Sequence, residues 1–186
     1  MPYDPNIHHR RSVRLQEYDY SQDGFYFVTI CVHDRLPLFG EIVDGEMRMN
    51  DAGRIVEKEY LQLTDKYPHV VCHEYVVMPN HFHCIIQITD DVTESLSPTV
   101  GAGSARPDRM TCDVNAGGQT PPLQLASLGQ IIAYFKYWTT KILNRPTRLW
   151  QRNYYEHIIR DQRSYEEISC YILDNPMHWP DDQLYV

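Results

Sequence analysis

The chain has 186 residues, 42% of them hydrophobic, enough for one domain with a single substantial core. Its longest apolar stretch, around Cys84 to Ile88, is far too short to cross a bilayer, and the N-terminal MPYDPNIHHRR lacks the apolar run of a signal peptide, so no membrane association and a cytoplasmic location are expected. Five scattered cysteines without a CxxC pair argue against a disulfide framework or a cysteine zinc site, and a net charge of -8 argues against phosphate binding unless the cations cluster.

The cations do cluster. Between Tyr134 and Arg163 stand seven basic residues (Lys136, Lys141, Arg145, Arg148, Arg152, Arg160, Arg163) against two acidic ones, and Arg10, Arg11 and Arg14 sit together near the start. Such a run also fits a solvated face, so it permits a nucleic-acid partner without requiring one.

In chain order, Gly24 to His33 is rich in aromatic and β-branched types and predicts a strand buried on at least one face. Asp44-Gly45 between Phe39–Val43 and Glu46–Met49 predicts a tight hairpin. Asn50-Asp51 offers an N-cap, and Ala52, Ile55, Val56, Tyr60 and Leu63 recur at helical spacing, so Asp51 to Thr64 reads as an amphipathic helix. Val70–Val77 and His81–Ile88 read as antiparallel strands joined by the turn-forming Met78-Pro79-Asn80.

Thr89 to Pro122 turns to Gly, Ser, Thr, Pro and Asp, loses all periodicity, and is expected to be a flexible insertion. Beyond it, Leu128, Ile131, Phe135, Trp138 and Ile142 mark a second long helix ending near Asn144-Arg145-Pro146. Asn153 to Arg160 reads as a short strand, and Ser164 with Glu167 suggests a capping box opening a last helix that runs to Asn175, ahead of Pro176. Strands interleaved with helices, around an antiparallel central pair, give an α+β sandwich with helices on one face of the sheet. The expected organisation is one domain over 1–186, with an N-terminal tail over 1–20 and the insertion over 89–122.

Chemistry is concentrated at His81-Phe82-His83. Side chains alternate across a strand, so the two imidazoles share a face while Phe82 points away, which suits half of a divalent metal site and equally fits two ordinary histidines. Tyr171 and Asn175 lie four apart on the last predicted helix and share its face, with Glu167 on the same stripe. Tyr171 would also serve as a half-buried packing residue, one of fourteen tyrosines. Lys136, Lys141, Arg145, Arg148 and Arg152 are candidate phosphate contacts, and Tyr154 and Tyr155 could stack on unpaired bases; each equally fits a structural role.

The stretch EYVVMPNHFHCIIQI resembles the signature of the IS200-like and REP-associated tyrosine transposases, which are built around a histidine-hydrophobe-histidine motif. The resemblance extends to IHHRRSVRLQEYDYSQDGFYFVTICVHDR at the front and LWQRNYYEHIIRDQRSYEEISCYILDNPMHW at the back, so it covers most of the chain except the insertion. It implies a ferredoxin-like domain that binds Mg²⁺ or Mn²⁺ and cleaves and rejoins single-stranded, hairpin-containing DNA through a 5′-phosphotyrosine. By the same resemblance, His81 and His83 match the metal-binding histidines, Tyr171 in CYILDNP matches the nucleophile, and Asn175 matches the amide that completes the metal site. Some relatives carry Gln there, one methylene longer. The N-terminal Arg10, Arg11 and Arg14 would help to recognise DNA beside a hairpin, and either a monomer or a tyrosine-helix-swapped dimer is compatible. The alternatives are a catalytically silent, host-recruited DNA-binding protein of the same fold and a metal-site hydrolase in which Tyr171 only packs.

Overall fold

The computed structural model describes residues 18–90, 125–145, 147–182 and 184. The tail cations Arg10, Arg11 and Arg14 and nearly all of the predicted insertion lie outside the described residues.

Four strands form the main sheet: β1 (Gly24–Cys31), β4 (Val70–Met78), β5 (His81–Ile88) and β6 (Tyr155–Ile159). A separate two-stranded sheet is made by β2 (Gly40–Val43) and β3 (Glu46–Met49). The main sheet runs in the order β4-β5-β1-β6 with every neighbouring pair antiparallel. Helix α1 (Asp51–Leu61), continued by the short α2 (Leu63–Lys66), connects β1 to β4, and α3 (Leu128–Leu143) connects β5 to β6. This is the expected α+β sandwich, with the strand and helix order of a ferredoxin-like domain.

The local signals act as their chemistry requires. Asp44 and Gly45 both take positive φ (54° and 78°), the turn that fits the twist of a tight hairpin. The Asn50 side chain accepts from the Gly53 amide at 3.0 Å and opens α1. Asn144 adopts the left-handed conformation that ends α3. The last helix, α4 (Gln162–Asp174), departs from expectation at its start: its cap is Asp161, whose carboxylate accepts from the Ser164 amide at 2.8 Å. Ser164 and Glu167 form no capping box, because Glu167 instead pairs with Arg163 on the solvent side.

One face of the sheet carries Tyr26, Val28, Ile30, Phe82, Cys84, Ile86 and Ile88, all closed over by α1, α2 and α3. Val56, Tyr60, Leu63, Leu128, Ile131 and Phe135 complete that core, and the Tyr60 hydroxyl, buried among them, donates to the Ile85 carbonyl at 2.7 Å. Helix α4 lies on the opposite face, so the expectation of helices on one face holds for α1–α3 and not for α4; there Ile172 meets Phe27, Ile85 and Ile159 in a small second cluster. A β-bulge between Cys72 and Tyr75 breaks the ladder at His73 and Glu74. Both reach Tyr165 of α4, whose hydroxyl donates to Glu74 Oε2 at 2.7 Å and lies 3.1 Å from His73 Nδ1. Tyr165 thereby pins the first turn of α4 to the sheet.

Candidate active site

Because β5 alternates, Phe82 enters the large core with no exposure while His81 and His83 emerge on the α4 face. Both imidazoles are themselves buried, with ring centroids 4.5 Å apart. Each is steadied through its Nδ1. His81 Nδ1 lies 2.8 Å from Asn80 Oδ1, and Asn80 is in turn oriented by donating its amide to the Arg35 and Leu184 carbonyls. With that amide orientation the His81 Nδ1 carries the proton, and Nε2 keeps its lone pair. His83 Nδ1 lies 2.8 Å from Thr29 Oγ1, its cross-strand neighbour on β1. Phe27 stacks against the His83 ring at 5.4 Å.

Burial pushes the His81 imidazole down to about 4, with Asp182 partly opposing the shift. Burial and the neighbouring His81 hold His83 well below the usual histidine range. Both rings are therefore neutral at neutral pH, the form in which imidazole is a metal ligand.

Helix α4 brings Tyr171 over this pair. Its hydroxyl lies 3.3 Å from His83 Nε2, its ring meets Phe27 edge-on, and 46% of its surface is exposed to a cleft of about 720 Å³. Burial, and secondarily Asp182, raise the Tyr171 phenol above its ordinary value, while an Asn175 hydrogen bond opposes them. Asn175 retains helical φ and ψ at the C-cap, so the four-residue spacing puts it beneath Tyr171 in the same cleft.

Two buried atoms at this site have no hydrogen-bond partner among the described residues: His81 Nε2 and Asn175 Oδ1. Orphaned buried acceptors are costly, and here both belong to residues singled out in the sequence as metal ligands. A third donor, absent from the sequence reading, comes from the chain after α4. The turn through Trp179–Asp181 returns the backbone so that Asp182 Oδ2 stands 3.9 Å from His81 Nε2. Ligand atoms of His81, His83 and Asp182 lie within 4.8 Å of one another, a group that could hold a metal ion. Donors around a small divalent cation stand about 3 Å apart for bonds of about 2.1 Å, so this set needs only to draw together. Nitrogen, amide and carboxylate donors suit a divalent cation of intermediate hardness.

Glu167, expected on the Tyr171 stripe, is turned to Arg163 and solvent. Lys136, Lys141, Arg148, Arg152 and Tyr154 line a second groove beside the cleft, whereas Arg145, exposed beyond the end of α3, does not. Tyr155 lines the cleft itself. The sequence reading missed the supporting shell, Thr29 and Asn80, as well as Asp182. Asn80 was visible only as a turn former, Thr29 depends on strand register, and nothing but an acidic pair marked Asp182.

No family model matches the chain. It is 39% identical to an uncharacterised protein of Haemophilus influenzae, over 99% of this chain and 97% of that protein. Among solved structures it resembles that of a REP-associated tyrosine transposase bound to a REP hairpin, with a TM-score of 0.55 and 17% identity over 90% of this chain and 73% of the other. The chain thus belongs to one family with the Haemophilus influenzae protein, shares the fold of the REP-associated tyrosine transposase, and carries that group's histidine-hydrophobe-histidine motif at His81-Phe82-His83.

Proposed function

We propose that the protein is a metal-dependent tyrosine transposase and endonuclease that cleaves and rejoins single-stranded, hairpin-containing DNA. The observation that carries this reading is the convergence of the Tyr171 hydroxyl, 3.3 Å from His83 Nε2, with the unpartnered Asn175 Oδ1 in one cleft, backed by the buried His81 ring, whose Nε2 is also unpartnered, 4.5 Å from that of His83. The shared fold supports it, since the solved relative is a transposase with a bound DNA hairpin.

His81, His83 and Asn175 would hold Mg²⁺ or Mn²⁺, with Asp182 able to join them. When bound, such a cation polarises a phosphodiester and stabilises charge on the departing oxygen. The chain's own residues supply the rest. Tyr171 rests as a protonated phenol, because burial and Asp182 disfavour its anion. The Asn175 hydrogen bond acts the other way and steadies the developing phenolate. Attack of the Tyr171 oxygen on phosphorus, its phenol proton passing to solvent in the cleft, forms the 5′-phosphotyrosine as the bond to the 3′ oxygen breaks; that oxygen takes up a proton from solvent and leaves as a 3′-hydroxyl. Return attack by a 3′-hydroxyl restores the phosphodiester and frees the tyrosine, so rejoining consumes no nucleotide.

The test is incubation with a library of single-stranded hairpins and Mn²⁺, followed by a search for denaturant-resistant protein–DNA adducts. Adducts that vanish with a chelator and in Tyr171→Phe support the proposal. Their absence from the unmodified protein with every hairpin would leave a DNA-binding role in its place.

A further inference from the structure

At Gln151 and Tyr154 the cleft shares its wall with the second groove, of about 620 Å³, which runs between α3 and the segment 148–154. Lys136, Lys141, Arg148 and Arg152 stand around it, and no acidic residue is among the described residues that line it. In a chain of net charge -8 this is a concentrated reversal of sign, whereas the catalytic cleft next to it carries Asp181 and Asp182. The groove has an apolar floor at Ile132 and Trp150, and Gly129 and Ala133, one helical turn apart, leave room above it.

Its wall is fastened from within. The Lys136 ammonium donates to the Gln151 carbonyl at 2.6 Å and the Arg152 carbonyl at 3.1 Å, which leaves one of its three N–H groups over. Burial and the adjacent Arg148 push Lys136 down to about 8, so the groove crowds cations in a way that an arriving anion relieves. At the rim, Tyr137 leaves 58% of its surface exposed, and the Lys141 ammonium lies 5.7 Å from its ring and 4.7 Å from that of Trp138. An exposed aromatic face among cations, with no acids, is the surface that unpaired nucleotides bind: phosphates to the charges, a base to the ring. A duplex keeps its bases stacked away from such a ring.

We propose that this groove carries the single-stranded DNA flank that leads into the cleft, with phosphates against Lys141, Arg148 and Arg152 and an unpaired base on Tyr137. The assignment rests on the reading of the Tyr171 cleft as a DNA-cutting site, since the shared wall is what makes the two continuous. Binding is tested with the full chain and a fluorescein-labelled oligothymidylate of about twenty nucleotides, titrated over a range of salt. In Lys141→Gln/Arg148→Gln/Arg152→Gln the affinity should fall at least about tenfold, and the slope of log affinity against log salt should become shallower by about 2, about 0.7 for each lost contact to a single strand. Tyr137→Ala should bind roughly fivefold or more weakly and Tyr137→Phe as the unmodified protein does. Unchanged affinity and slope in the triple variant would overturn the groove as a binding track, and an equal loss of binding to a blunt duplex would overturn its assignment to single strands. Failure here leaves adduct formation by the unmodified protein untouched. Failure of the Tyr171 reading leaves the salt-slope difference in place, because binding needs no cleavage.

Discussion

The two faces of the main sheet are built from alternate residues of the same strands and have opposite characters. On the α1–α3 side, Tyr26, Val28, Ile30, Phe82, Cys84 and Ile86 meet apolar helix faces in a closed core. On the α4 side, Phe27, Ile85, Ile159 and Ile172 form a smaller cluster flanked by Phe25, Val76, Tyr165 and Ile168, and beyond it Thr29, Cys31 and His83 open on a cleft with His81 buried beside them. Stability resides on the first face, and the second can therefore hold neutral imidazoles and orphaned acceptors that a core would not tolerate. His81-Phe82-His83 joins the two: its central ring is locked in the core and fixes the rotation of the strand that aims both histidines.

That division can be broken from either side. The largest effect expected is on function: His81→Ala/His83→Ala should keep a cooperative thermal melt while DNA cleavage disappears, and equal cleavage at saturating Mg²⁺ would remove the metal from the mechanism. Phe82→Ala should do the reverse to the fold, lowering the free energy of unfolding by about 3–5 kcal/mol, because it empties a fully buried aromatic site against Tyr60 and Phe135. Chemical denaturation measures it, and a loss below about 1 kcal/mol would show that the anchor is not where the stability lies.

Subtler changes sharpen the comparison. Thr29→Val removes the hydroxyl behind His83 with little change in volume, and should cost about 10–100-fold in metal affinity, read by titration calorimetry with Mn²⁺. An affinity equal to that of the unmodified protein would make Thr29 a bystander. Smallest is Asp161→Ala, which removes the cap of α4 and should cost about 1 kcal/mol by chemical denaturation, a fall of roughly 2–4 °C in melting temperature. No change at all would mean that Tyr165 alone holds the helix start.

What could be read from the sequence was what alternation and helical spacing determine. The hairpin at Asp44-Gly45, the cap at Asn50, the shared face of His81 and His83, and the pairing of Tyr171 with Asn175 are all set by residues close in sequence. Thr29 behind His83 depends on the β1–β5 register, Asp182 beside His81 on the path of the chain after Pro176, and the cap of α4 on a competition that Asp161 wins over Ser164. The common direction of Lys141, Arg148 and Arg152 was a cluster in composition only; the groove arises when Lys136 ties the 148–152 segment to α3.

The central claim is that Tyr171, held at the two histidines, is the nucleophile. Its most direct test is proteolysis and peptide mapping of an adduct trapped with single-stranded hairpin DNA and Mn²⁺. DNA is expected on the peptide that contains Cys170, Tyr171 and Ile172, with no adduct at all in Tyr171→Phe. DNA on Tyr154 or Tyr155, or an adduct that persists in the phenylalanine variant, would contradict it.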